Sequence, residues 1–200
     1  AQELEKRTKV KARVVAHALE ELIKDASNVI IMGHLNGDID SIGSSLGLYR
    51  FAKVLNKDAY IVNTTKGLAL GNFIEALEKH EEYKNVLIDK NEALAKITPD
   101  TLLIITDTHK KSYVEVPELL EETEKIVIID HHRKSADYIE NAILTFHEAY
   151  ASSASELVTE IIEYGTNDIE LEQLEAESLY AGIMIDTKNF TFKTGVRTFE

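Results

Sequence analysis

Short apolar runs, each closed by residues of metal-ligand type, constrain this chain more than any other feature. Ile126-Val127-Ile128-Ile129 ends on Asp130-His131-His132, the run 102–106 ends on Asp107, and the run 29–33 ends on His34-Leu35-Asn36-Gly37-Asp38-Ile39-Asp40. Runs of this kind suit strands buried on both faces, and others stand at 60–62, 86–88 and 143–146, separated mostly by segments with helical patterning. The alternation predicts an α/β fold, a mainly parallel β-sheet flanked by helices. In open parallel sheets, functional groups gather just beyond the carboxyl ends of the strands, so the clusters are expected to converge on one cleft.

The helical segments fall between these runs. Residues 2–25 read as one helix with Val10, Val14, Ala18 and Leu22 on one stripe, and residues 1–27 are expected to be a connector into a domain spanning 28–200. Ser41 is expected to cap a second helix through Leu46, Leu48, Phe51 and Leu55, joining the 34–40 loop to a helix N-terminus, a junction suited to phosphate. After residue 147 the pattern is helical, in segments 152–164 and 171–185. Ser152 and Ser153 are expected N-caps of the first segment, and Asp186 closes the second. The sequence stops within what reads as the start of another helix, Thr194-Gly195-Val196-Arg197-Thr198-Phe199-Glu200, so a piece of a longer protein is expected.

Composition narrows the chemistry. With 200 residues, 44% of them hydrophobic, the chain can bury a substantial core, and no stretch approaches the roughly 20 apolar residues that span a bilayer, so this piece is expected to be soluble. There is no cysteine, so any metal must be held by imidazole and carboxylate, which suits hard or borderline divalent ions. A formal charge of −13 argues against a broad surface for duplex nucleic acid. It does not exclude a phosphodiester substrate, because bound divalent cations would reverse the local field.

His34 and Asp38 can approach one ion from opposite sides of a tight loop, Asp40 can point to a second, and Asp107 can bridge them. A bridging carboxylate holds two cations roughly 3.5–4 Å apart, the separation used for in-line displacement. Asp186 and His131 can complete the shell of the second ion, with manganese, iron, cobalt and magnesium all compatible. His17 and His80 lie in charged helical segments and read as solvated, and His147 is ambiguous.

Together, His34-x-x-x-Asp38-x-Asp40, Asp107 after a strand, Asp130-His131-His132, and Asp186 in Gly182-Ile183-Met184-Ile185-Asp186-Thr187 resemble the successive motifs of the DHH phosphoesterase superfamily, over nearly the whole chain. Within it, the wording of residues 33–43, Ala151-Ser152-Ser153-Ala154-Ser155-Glu156-Leu157, and residues 186–190 and 194–200 resembles the GdpP-type cyclic-di-AMP phosphodiesterases. Gly37, Ser112 and Ala149 stand where relatives often carry proline, a change of loop stiffness that removes no ligand.

The resemblance implies two divalent ions, manganese by preference, with His34, Asp38 and Asp107 on the first and Asp40, Asp107, His131 and Asp186 on the second. It implies catalytic roles for Asp107, His131 and His132, with His132 near the phosphate, Asp130 supporting the histidines, and His109 contacting substrate. The implied reaction is hydrolysis of cyclic-di-AMP to linear pApA by a two-metal-activated water. The implied partner is a C-terminal DHH-associated domain of the same parent chain, missing here, with a homodimer left open. The parent is expected to be anchored in the bacterial cell membrane with this part on the cytoplasmic side. Alternatives are a nanoRNase-like hydrolase of short oligonucleotides, and a metal-binding fragment inactive without its C-terminal domain. An inorganic pyrophosphatase ranks lower, because Lys188, Lys193 and Arg197 only faintly supply the basic cluster it needs.

Overall fold

In the computed structural model, which describes residues 2–64 and 70–186, the apolar runs form one six-stranded sheet. Its strands are β1 (Val29–Met32), β2 (Ala59–Val62), β3 (Leu87–Ile88), β4 (Leu102–Thr106), β5 (Ile126–Asp130) and β6 (Leu144–His147). They lie in the order β3-β2-β1-β4-β5-β6, and every pairing is parallel. Successive side chains point to opposite faces, so Ile31, Ile104 and Ile129 enter one core while Met32, Ile105 and Ile128 enter the other. Burial on both faces is why these strands lack polar and apolar alternation.

On the first face lie α1 (Gln2–Asp25), α2 (Ile39–Val54), α5 (Ala154–Tyr164) and α6 (Gln173–Asp186), contributing Leu19, Phe51, Leu157 and Leu179. The short α3 (Gly71–Lys79) adds Leu77 to the same core. The second face is closed by α4 (Lys90–Lys96) and a 3-10 helix, Pro117–Glu121, through Ala93 and Leu119. The expected α/β architecture with a helical C-terminal part is therefore observed. No described helix is long and apolar enough to cross a membrane.

Two local expectations need correction. The buried face of α1 is Ala12, Val15, Ala16, Leu19 and Ile23, whereas Val10 and Val14 are 56% and 62% exposed. Residues spaced strictly by four drift about 40° per step around a 3.6-residue helix, so the Val10, Val14, Ala18, Leu22 stripe spirals off the packed face. The N-cap of α2 is Asp38, not Ser41: the Asp38 side chain accepts a 2.9 Å hydrogen bond from the Ser41 N–H. The loop's own ligand-type carboxylate thus fixes where the helix starts.

The sheet order positions the site. From β1 the chain winds outward through β2 and β3, then returns to lay β4 against the other side of β1 and winds the opposite way. The crevice at that reversal, between the carboxyl ends of β1 and β4, is where an open parallel sheet binds ligands.

Candidate metal centre

Asp107 follows β4 at φ 64°, a left-handed conformation uncommon for a residue with a Cβ but tolerated by aspartate. Its N–H donates to the Ile129 carbonyl at 2.9 Å, and its carboxylate is buried at the reversal point. One oxygen, Oδ2, lies 3.1 Å from His34 Nε2, beyond β1, and the other, Oδ1, lies 3.2 Å from His131 Nε2, beyond β5. Three neighbouring strand ends therefore meet on one carboxylate.

Two further carboxylates stand beside these imidazoles. Asp38 Oδ1 stands 3.8 Å from His34 Nε2, and Asp40 Oδ2 stands 3.6 Å from His131 Nε2. Asp40 is fully buried and accepts the Ala154 and Ser155 N–H groups, at 3.0 and 2.8 Å, so it also caps the N-terminus of α5. Donor atoms of His34, Asp38 and Asp107 lie within 4.8 Å of one another, as do those of Asp107, Asp130, His131 and His132. Asp186 is the last residue of α6; its side chain lies outside the description, as do residues 187–190 and 194–200.

The surroundings suit a cation. His34 Nδ1 lies 2.8 Å from the Leu35 carbonyl, which can only accept, so that nitrogen carries a proton and Nε2 is the one left for a ligand bond. Asp130, fully buried at the end of β5, takes His132 Nδ1 at 2.7 Å on one oxygen and His109 Nδ1 at 2.6 Å on the other. The Ser135 N–H donates to His109 Nε2 at 3.0 Å, so the His109 proton sits on Nδ1 and both ring nitrogens are engaged. His132 is half exposed, and its Nδ1 is held by Asp130.

Electrostatics carry the same signature. Burial works to lower the His34 pKa, but its hydrogen bonds to Asp107 and Asp38 outweigh that and raise it to about 11. Burial opposes ionisation of Asp107, yet His131 and His34 hold its carboxyl well below the usual range. Asp130 is likewise lowered against burial, mainly by His132, whose own pKa is raised by Asp130. Without a cation, imidazole protons neutralise buried carboxylates, and a divalent ion could take their place.

These groups open into a cleft of about 270 Å³ lined by His34, Asp38, Asp107, His132, Lys110 and Arg133. A larger cleft of about 590 Å³, near Ile42, Asn63, Ile74 and Asp89, holds no histidine; donor chemistry, not size, identifies the site. Sequence reasoning missed Tyr113, whose ring stacks on His34 at 5.1 Å and 4°, and left His147 ambiguous; its Nε2 donates to the His132 carbonyl. His147 pairs with Asp130 across β5 and β6, a signal visible only once the register is known.

Residues 28–183 match the DHH family, N-terminal domain. Over 199 residues the chain is 45% identical to a Bacillus subtilis (strain 168) protein named cyclic-di-AMP phosphodiesterase GdpP, covering 98% of this chain and 30% of that one. It is 42% identical over 200 residues to cyclic-di-AMP phosphodiesterase PdeA of Listeria monocytogenes serotype 1/2a (strain 10403S), again with 98% and 30% covered. It thus spans about 30% of the length of these relatives. Among solved structures, an exopolyphosphatase-related protein from Bacteroides fragilis shares the fold, with a TM-score of 0.76 at 22% identity, covering 93% of this chain and 54% of that one.

Proposed function

Because this chain belongs to the DHH family, we propose that its intact protein is a metal-dependent phosphodiesterase that opens cyclic-di-AMP to linear pApA. The observation that carries this is the Asp107 carboxylate, each of whose oxygens faces an imidazole from a different neighbouring strand. The names of the similar proteins supply the substrate class.

His34, Asp38 and Asp107 would hold one divalent ion, and Asp40, Asp107, His131 and Asp186 a second, with manganese the ion that the family resemblance favours among the several the imidazole and carboxylate donors admit. When bound, such a pair supplies Lewis-acid charge neutralisation and acidifies water for in-line attack. In the reaction, water adds to one phosphorus, the P–O3′ bond breaks, and the product carries a 5′-phosphate and a free 3′-hydroxyl.

The chain's own side chains then have distinct tasks. Asp130 fixes the His132 ring through Nδ1 and favours its charged form, making it a donor for a phosphate oxygen at the cleft. A contact from His109 to phosphate would require it to release Ser135, so in the resting arrangement His109 acts on Asp130. Base recognition is assigned to the DHH-associated domain of a membrane-anchored parent.

The test is turnover by the intact, manganese-loaded protein of cyclic-di-AMP against linear pApA, with Asp107→Asn alongside. Cleavage of the cyclic substrate, lost about a hundredfold or more in the variant, is expected. Preference for pApA, or an active Asp107→Asn, would contradict the assignment.

A further inference from the structure

Acids outnumber basic residues 35 to 22 in this chain, yet two basic pairs directly follow site tripeptides: Lys110-Lys111 after Asp107-Thr108-His109, and Arg133-Lys134 after Asp130-His131-His132. Because β4 and β5 are adjacent and parallel, both pairs emerge at the same end of the sheet. Lys134 lies over the Tyr138 ring at 4.3 Å, while Lys110 and Arg133 line the cleft that contains His34, Asp107 and His132. Neither of these two side chains is in an ion pair or a side-chain hydrogen bond among the described residues.

The two loops are fastened to each other. The Ser135 N–H donates to His109 Nε2 at 3.0 Å, the Ile139 N–H to the His109 carbonyl at 2.9 Å, and the Ser112 N–H to Asp137 Oδ2 at 3.2 Å. Ser112 Oγ also donates to Asp137, and Ser135 Oγ to the Asp137 carbonyl at 2.9 Å. Asp137, an acid on these loops, is thereby taken up by Ser112. Crosslinked loops hold Lys110 and Arg133 ready before a ligand arrives, which lowers the ordering cost of binding.

We infer that Lys110 and Arg133 form a receptor for the second phosphodiester of a cyclic dinucleotide, the one not under attack, and so select a doubly charged ring over a lone phosphodiester. This rests on the proposed function. A cyclic dinucleotide places two anionic phosphates on one ring, and the buried acids around Asp107 can accept only the one that bound cations neutralise. The other phosphate needs cations of its own, and this rim supplies one that can make bidentate contacts and one point charge.

The experiment compares the intact, manganese-loaded protein with its Lys110→Ala/Arg133→Ala double variant, on cyclic-di-AMP and on bis(4-nitrophenyl) phosphate, which has one phosphodiester and no second phosphate. The variant should raise KM for the cyclic substrate roughly 10- to 100-fold and narrow the preference for it at least about tenfold. The rise of that KM with ionic strength should flatten. Lys125→Ala, at a half-buried lysine at the opposite end of β5 paired with Asp100, controls for net charge and should change turnover of neither substrate. Equal losses on both substrates, or no loss on the cyclic one, would overturn the inference alone. A wild-type protein that leaves cyclic-di-AMP intact would overturn the proposed function and this inference with it.

Discussion

At Asp107 a single buried carboxylate is shared by His34 and His131, and this has a measurable consequence for proton exchange. His34, raised to about 11, is protonated near neutrality, so a cation bound at Nε2 must displace that proton. Metal affinity should therefore rise about tenfold per pH unit between pH 6 and 9 for each proton displaced. Titration calorimetry in buffers of different ionisation enthalpy would detect the release; pH-independent affinity without proton release would contradict it. For the metal-free protein, the raised His34 stabilises the fold fully below its ordinary 6.5 and loses that contribution as pH rises through about 11. The lowered Asp107 stabilises it above the ordinary 3.8 and loses that contribution as pH falls. His34, Asp38, Asp40, Asp107 and His131 were legible because each lies at or just beyond the end of an apolar run. Tyr113 was not, because its contact depends on how the loop folds back, and His147 stayed ambiguous because its place depends on cross-strand register.

Among the elements, the crossing of α2 and α6 sets how closely the helical layer approaches the site. At Gly43 an added Cβ would lie 2.4 Å from the Ser178 carbonyl oxygen, so the helices touch backbone to backbone. Gly43→Ala should cost about 1–3 kcal/mol from overpacking, offset by up to about 1 kcal/mol of helix propensity. Unchanged or increased stability in urea would show that the helices can separate freely. The same pair is tied by Glu175, fully buried, which takes Arg50 Nε and Nη2 at 3.0 Å each and the Tyr83 hydroxyl at 2.8 Å. Glu175→Ala strands a mostly buried guanidinium and should lose about 3–5 kcal/mol, a Tm fall of roughly 6–20 °C by calorimetry. A fall under about 2 °C would mean that Glu82, 2.6 Å from Arg50 Nη2, suffices alone. Neither contact could be read from sequence, since Arg50 and Glu175 are far apart in the chain and on helices whose crossing is a tertiary fact. Strand existence and order of type were readable, because runs such as Leu102–Thr106 have no competing pattern. The α1 face was misread because spacing by four resembles a stripe without being one.

For the whole molecule, the reversal of strand order between β1 and β4 explains why residues 34–40, 107 and 130–132 meet. Placing β1 between β2 and β4 brings the β1 and β4 loops to one crevice, and β5 adds the tripeptide beside them. Sequence alone predicted a parallel sheet and a common cleft but not the order, which depends on where each crossover packs. The acidic balance of −13 is then compatible with the proposed anionic substrate, because the buried acid at the cleft, Asp107, is engaged with imidazoles. The central claim, two cations bridged by Asp107, is tested most directly by electron paramagnetic resonance of the intact protein titrated with manganese. An exchange-coupled pair appearing as the second equivalent binds, and absent in Asp107→Asn, is the predicted result. Two magnetically isolated ions, or a coupled pair that survives in Asp107→Asn, would contradict it.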